Sequence, residues 1–109
     1  MSTDQSIPLK IWLDDIRPAP EGWTWVKTYQ EASLCLAVWK WSVISLDHDL
    51  GDYVDNGREC TGYDVLMRIV EMKLAGHEVG RVLVHSTNPV AQERMLGVIA
   101  RYLDDGSLV

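Results

Sequence analysis

Three short apolar segments of this chain each run directly into side chains that can bind a metal or transfer a proton. Such runs, bounded by polar residues, are typical of buried strands. The three segments are Leu9–Leu13, Val43–Leu46 and Arg81–Val84. The residues that follow them are Asp14, Asp15, Asp47, His48, Asp49, His85, Ser86, Thr87 and Asn88. If the strands are parallel and adjacent, these side chains meet at the carboxyl edge of one sheet, where open α/β sheets bind ligands.

Helical patterns separate the apolar segments and favour parallel pairing through right-handed crossovers. Spacing and capping signals predict helices over Glu31–Lys40, over Gly62–Ala75, and from Pro89 to about Asp105. The segment Trp23–Tyr29 is predicted to be a further strand, parallel to the first. Only the proline-rich stretch Ile16–Gly22 joins these two strands, and no helix fits there.

Length and charge limit the functional classes that fit this chain. Its 109 residues predict a single domain over 9–109, after a flexible amino terminus over 1–8. The net charge of −6 argues against broad binding of duplex nucleic acid. No run is long and apolar enough to span a bilayer and no signal peptide is present, so we expect a cytoplasmic protein. Its cysteines, Cys35 and Cys60, form no metal motif.

Asp14, Asp15 and Asp47 are candidate metal ligands. Three carboxylates gathered at one edge would repel each other unless a positive charge neutralised them. Mg²⁺ or Mn²⁺ is the natural counter-charge for oxygen ligands. The alternative is that these residues cap helices and solvate loops, but the arrangement repeated on a second strand favours a divalent ion.

His48 and His85 are candidate acid–base groups, since imidazole exchanges protons near neutral pH. A structural role is the alternative for each. Arg17 is placed to bind a phosphate or to form an ion pair with Asp15. Ser86 and Asn88 stand at the start of the last predicted helix, where hydroxyl and amide groups bind anions; Asn88 is also its predicted N-cap.

The tryptophans and one long loop allow two interpretations each. Trp23, Trp25, Trp39 and Trp41 are expected to be core anchors, or else to include an exposed aromatic patch. The polar stretch Gly51–Cys60 is expected to be a solvated loop, with a lid over the site as the alternative.

Four stretches of this sequence resemble a known family. They are Leu13–Pro18, Ser45–Gly51, Thr61–Leu66 and His85–Pro89. The acidic pair, the later strand ending at Asp47 and the hydroxyl residue Ser86 are laid out as in response-regulator receiver domains. The two histidines depart from receivers and instead resemble the cyclic-phosphate-processing receiver-like family of bacteria and phages, over about Leu9 to Leu103.

The resemblance implies an α/β, compact, receiver-like (flavodoxin-like) three-layer fold. We expect a short, mostly parallel sheet of about four strands that lacks the first helix and the last strand of a full receiver. It also implies a hydrolase acting on a cyclic phosphate of a nucleotide or an RNA end. In that hypothesis Asp14, Asp15 and Asp47 hold the metal, and His48 and His85 share the acid and base roles.

Two other functions stay open from the sequence. One is a signalling module phosphorylated on Asp47, as in receivers. The other is a non-catalytic protein that binds a nucleotide or phosphate. The sequence predicts neither the oligomeric state nor the substrate.

Overall fold

The structure, a computed structural model, describes residues 9–50, 54–55 and 58–103. It confirms the α/β receiver-like fold, with four parallel strands and three α-helices. The expectation of a flexible amino terminus falls on residues outside the described ranges.

The elements follow the apolar pattern of the sequence. The strands of the main sheet are β1 (Leu9–Leu13), β2 (Thr24–Val26) and β3 (Trp41–Leu46), with β6 (Arg81–Val84) completing it. A two-stranded antiparallel ribbon consists of β4 (Val54–Asp55) and β5 (Arg58–Glu59). The helices are α1 (Tyr29–Val38), α2 (Gly62–Leu74) and α3 (Pro89–Val98), and α3 continues as a π-helical segment over Ile99–Leu103.

The second strand is parallel to β1, as predicted, but shorter than expected. Pairing joins Ile11 to Thr24 and Leu13 to Val26. The strand ends because Thr28 caps α1, its hydroxyl accepting a hydrogen bond from the Glu31 amide. The predicted strand over Trp23–Tyr29 is therefore too long.

Two other boundaries differ from the sequence prediction. Part of the stretch Gly51–Cys60, expected to be a loop, forms the β4–β5 ribbon. Cys60, at the end of that stretch, is buried. The end predicted for the last helix, Asp105, lies outside the described residues.

All three helices pack against one face of the main sheet. The strand order is β2-β1-β3-β6, so the chain moves in one direction from β2 through α1 to β3 and through α2 to β6. Right-handed crossovers in one direction place both helices on the same face. Side chains from this face and from all three helices form one core, which includes Ile11, Leu13, Ile44, Leu46, Ala32, Leu66 and Met95.

No helix among the described residues covers the opposite face, which we call the open face. Strand alternation places Trp12, Val43, Ser45 and Leu83 there, opposite the core residues. Only β1 to β2 runs in the other direction along the sheet, and no helix lies between them. The helical layer that the receiver architecture would place here is the first helix, whose absence the sequence predicted.

Candidate functional site

Asp14 follows β1 and is the most constrained carboxylate at the carboxyl edge of the sheet. Its Oδ1 accepts hydrogen bonds from the amides of Ile16 and Arg17, at 2.9 and 2.8 Å. Its Oδ2 lies 2.8 Å from Arg17 Nε and 3.1 Å from His85 Nε2. Burial alone would raise the pKa of Asp14, but these hydrogen bonds and the guanidinium charge outweigh it and lower the pKa. Asp14 is therefore ionised and held in one orientation.

Asp47 follows β3, and its pKa is raised, in contrast to that of Asp14. Burial and the negative charge of Asp14 raise its pKa, and Arg17 and the His48 amide offset this only in part. Its Oδ1 accepts from the His48 amide at 2.9 Å. A cation bound beside Asp14 and Asp47 would relieve the unfavourable charge that raises this pKa.

The three predicted metal ligands do come together. Asp14, Asp15 and Asp47 each offer a carboxylate oxygen, and these oxygens lie within 4.8 Å of one another. Two of the three residues are buried and Asp15 is partly exposed. Oxygen donors at this spacing fit a hard divalent cation such as Mg²⁺ or Mn²⁺. The donor set therefore suits the predicted cofactor.

Arg17 is the positive charge that balances this cluster within the described residues. Besides its contact with Asp14, its Nη2 lies 3.4 Å from Asp47 Oδ1. The Arg17 side chain is 42 % exposed, so it is not fully enclosed by the protein. The sequence left open a phosphate contact or an ion pair with Asp15. The guanidinium contacts Asp14 and Asp47 instead of Asp15, and the phosphate contact stays a prediction.

His85 follows β6 and uses both ring nitrogens inside the protein. Nε2 faces Asp14, and Nδ1 lies 2.7 Å from the hydroxyl of Ser45. A carboxylate can only accept, so Nε2 carries a proton and the Ser45 hydroxyl donates to Nδ1 in the neutral ring. Burial lowers the pKa of His85, while the Asp14 hydrogen bond opposes that shift only partly. The indole of Trp12 stacks on this ring with centroids 3.8 Å apart and planes 7° apart.

His48 is held differently from His85. Its Nδ1 lies 2.9 Å from Oδ1 of its neighbour Asp49, which is 69 % exposed. The ring is partly exposed, and its Nε2 has no hydrogen-bond partner among the described residues. An acceptor at Nδ1 favours the tautomer with a free lone pair on Nε2, the arrangement of a general base.

Ser86 and Asn88 form the turn that opens α3. The Ser86 hydroxyl accepts from the Asn88 amide at 3.1 Å, and Asn88 Oδ1 accepts from the Ala91 amide at 3.1 Å. The predicted N-cap is confirmed. The β3–β6 register continues beyond Leu46 and Val84, because the His85 amide donates to the Leu46 carbonyl. The turn therefore starts beside Asp47.

The amino terminus of α2 packs directly against the Asp47 backbone. The Gly62 amide donates to the His48 carbonyl at 2.9 Å. A β-carbon on Gly62 would lie 1.8 Å from the Asp47 carbonyl oxygen, so only glycine allows this approach. Thr61 and Asp64 cap the helix with reciprocal hydrogen bonds.

A protein-family model matches most of this sequence. The model is that of the cyclic-phosphate processing receiver domain, and it matches residues 9–101. The chain belongs to this family. No curated protein and no solved structure matches the chain. The resemblance predicted from four short stretches is thus confirmed over nearly the whole sequence.

A cavity of about 820 Å³ lies at the other end of this receiver domain. Its walls include Trp39, Trp41, Arg68 and Met72, which belong to the helical side and the amino-terminal edge of β3. None of the candidate site residues lines it. The described helices include none long and apolar enough to cross a membrane.

Sequence reasoning misses two supporting residues of this family member. The strand-end pattern includes Asp49 but does not identify it as the partner of His48. Ser45 falls within an apolar strand in that pattern, although its buried hydroxyl pairs with His85. A polar residue inside an apolar strand is the available signal, because a buried hydroxyl requires a partner.

Proposed function

We propose that this receiver domain is a metal-dependent phosphoesterase that opens a cyclic phosphate on a nucleotide or RNA end. The observation that carries the proposal is the cluster of Asp14, Asp15 and Asp47, whose carboxylate oxygens lie within 4.8 Å of one another. His48 follows Asp47 directly, and its Nε2 has no hydrogen-bond partner among the described residues. Membership of a cyclic-phosphate processing family supports the same substrate class.

In this proposal the carboxylates hold a divalent ion and Arg17 contacts the phosphate. When bound, Mg²⁺ or Mn²⁺ supplies positive charge that neutralises the phosphate oxygens as charge builds in the transition state. The Arg17 guanidinium donates hydrogen bonds to the same oxygens. The Ser86 hydroxyl and the Asn88 side-chain amide, at the start of α3, donate to a different phosphate oxygen from those that the metal ion and Arg17 contact.

His48 is the proposed general base. Asp49 holds its tautomer, so the free Nε2 lone pair takes a proton from water as the water oxygen attacks phosphorus. One ester bond of the ring breaks, and the leaving ribose oxygen takes a proton from solvent. The product is an acyclic phosphomonoester.

His85 receives a narrower role than the acid–base one predicted from sequence. Both ring nitrogens already pair with Asp14 and Ser45, and direct proton transfer to a substrate would break one of these hydrogen bonds. We propose that His85 chiefly positions Asp14 for metal binding. Trp12, stacked on the ring, keeps it in that orientation.

Phosphorus NMR of the purified protein with a panel of 2′,3′-cyclic nucleotides tests the proposal. Each nucleotide is followed with Mn²⁺ and then with excess EDTA. We expect conversion to a monoester in the presence of metal and none with EDTA. Conversion that EDTA leaves unchanged would remove the metal from the proposal.

Phosphorylation of Asp47 is the second candidate, because this carboxylate follows β3 beside a metal-binding cluster. Incubation with acetyl phosphate and Mg²⁺, followed by intact-mass measurement, distinguishes the two functions. A stable gain of one phosphoryl group on the wild type, lost in Asp47→Asn, would favour a signalling module over a hydrolase.

A further inference from the structure

The open face of the sheet carries aromatic and basic side chains, and no acidic ones, within its strands. The register sets Trp25, Trp12, Ser45 and Leu83 in one row across the four strands. The next row toward the amino-terminal edge contains Lys10, Val43 and Arg81. Lys10 and Arg81 are both exposed. In a chain with 16 acidic and 10 basic residues, this face has an unusual charge.

The tryptophans of the open face lie at the protein surface rather than in the core. Trp25 is 37 % exposed, and Lys27 Nζ lies 4.3 Å above its ring centroid. Trp23 meets Trp12 edge to face, with centroids 5.9 Å apart. The core contains Trp41 instead, so the prediction that the tryptophans are mainly core anchors is wrong for Trp23, Trp25 and Trp39.

The open face is continuous with the candidate site. The indole nitrogen of Trp25 donates to the Asp14 carbonyl at 2.6 Å, and the indole nitrogen of Trp12 donates to the Arg17 carbonyl at 3.0 Å. Trp12 also stacks on His85. A ligand lying on these rings would therefore lead directly to the carboxylates at the strand ends.

We propose that the open face binds single-stranded RNA and presents its 3′ end to the carboxylate cluster. Exposed rings on a sheet stack bases, and nearby cations pair with the phosphates, a combination suited to single strands. The choice of RNA rests on the proposed function, since a 2′,3′-cyclic phosphate requires ribose.

The dimensions of the face set the length of strand it accommodates. Four strands about 4.8 Å apart span about 14 Å, and the distance from Arg81 to the end of its strand is about 10 Å at ~3.3 Å per residue. That area holds about two or three stacked bases. A hexanucleotide therefore covers the face with nucleotides to spare.

Fluorescence anisotropy with a 5′-labelled RNA hexamer carrying a 3′-phosphate tests the proposal in EDTA, where no turnover occurs. We compare Lys10→Glu/Arg81→Glu with Lys40→Glu/Arg68→Glu, a matched charge reversal at exposed positions on the helical side. Charge reversal of the open-face pair should weaken binding at least ~10-fold, and the magnitude of the slope of log K against log salt should decrease by about 1.4. The control pair should change both the affinity and the slope less. Equal losses in the two pairs would overturn the proposal.

A second comparison tests whether RNA bases stack on Trp25, with another exposed tryptophan, Trp39, as the control. Trp25→Ala should weaken hexamer binding about 5- to 100-fold, and Trp39→Ala, which removes an exposed ring near the cavity, should not. Circular dichroism checks that both variants are folded. If Trp25→Ala does not fold, the comparison of the two charge-reversal pairs decides the proposal.

Two controls separate this proposal from the proposed function. In the proposed function, wild-type turnover of cyclic mononucleotides depends on the residues at the strand ends, whereas hexamer binding in EDTA depends on the open face. Binding without turnover would support the RNA surface and contradict the hydrolase. Light scattering that gives a dimer, dissociated by Lys10→Glu/Arg81→Glu, together with no hexamer binding, would assign the face to a second copy of the chain and overturn the proposal.

Discussion

The guanidinium of Arg17 lies against the carboxylate of Asp14, with Nε 2.8 Å from Oδ2. The same side chain reaches Asp47 through Nη2, which lies 3.4 Å from Oδ1. A cation from the protein therefore neutralises two of the three proposed metal ligands. Metal binding has to displace this cation or share the carboxylates with it.

Arg17→Gln should consequently raise affinity for Mn²⁺ while lowering turnover. Loss of the competing cation is worth about 0.2–1 kcal/mol at this partly exposed position, or about 1.5- to 5-fold in affinity. Turnover falls because the phosphate loses a donor. Electron paramagnetic resonance of free Mn²⁺ measures the affinity, with Arg68→Gln as the control on α2. Weaker Mn²⁺ binding in Arg17→Gln would contradict the competition.

His48→Ala should lower the rate of cyclic phosphate opening at least ~100-fold, the usual contribution of a general base. Asp49→Asn should cause a smaller loss, since it removes only the group that sets the tautomer. Initial rates by phosphorus NMR provide the measurement. His77→Ala, at an exposed position near the other end of the molecule, is the matched control. A fully active His48→Ala would remove this residue from the mechanism.

The lowered pKa of His85 predicts how the free energy of unfolding of the metal-free protein depends on pH. Burial lowers its pKa in the folded state, so the unfolded chain binds the proton more tightly. Stability should therefore decrease as the pH falls through the ordinary histidine value toward the lowered one. The lowered pKa of Asp14 adds a further loss at more acidic pH, and the raised pKa of Asp47 opposes it.

Urea unfolding in EDTA at a series of pH values isolates the contribution of His85. In His85→Gln the loss of stability between neutral and mildly acidic pH should become smaller, whatever the absolute stability of the variant. His77→Gln should keep the wild-type slope. An unchanged slope in His85→Gln would mean that another group titrates in this window.

Gly62→Ala should destabilise the protein although alanine is favoured in helices. The new β-carbon would overlap the Asp47 carbonyl, and α2 would have to move away from the site. Gly97 lies inside α3, and a β-carbon added there would have no neighbouring atom within 4 Å. Gly97→Ala should therefore stabilise the protein by about 0.5–1 kcal/mol. Chemical denaturation measures both, and stabilisation by Gly62→Ala would contradict the close approach.

The sequence predicted the sheet and the convergence of its acidic residues because both depend on local patterns. Apolar runs defined β1, β3 and β6, and parallel pairing brought Asp14 and Asp47 to one edge. The extent of β2 was harder to predict, because the hydrogen bond from the Glu31 amide to Thr28 that starts α1 competes with strand continuation.

The contacts between side chains of different strands could not be predicted. Arg17 contacts Asp47 and His85 contacts Ser45 only because the register aligns residues far apart in sequence. The exposure of Trp25 depends on the absence of a helical layer over the open face within the described part of the chain. That layer's absence was predicted, but its consequence for the tryptophans requires knowing which side each strand residue faces.

The most direct test of the central claim is conversion of a 2′,3′-cyclic nucleotide, measured by phosphorus NMR for wild type and Asp47→Asn with saturating Mn²⁺. Folding of the variant is verified by circular dichroism, and Mn²⁺ binding is measured on the same samples. We expect a monoester product with wild type, and at least ~100-fold slower conversion together with weaker Mn²⁺ binding in Asp47→Asn. No conversion by folded, Mn²⁺-loaded wild type with any nucleotide of the panel or with a cyclic-phosphate-ended RNA hexamer would contradict it.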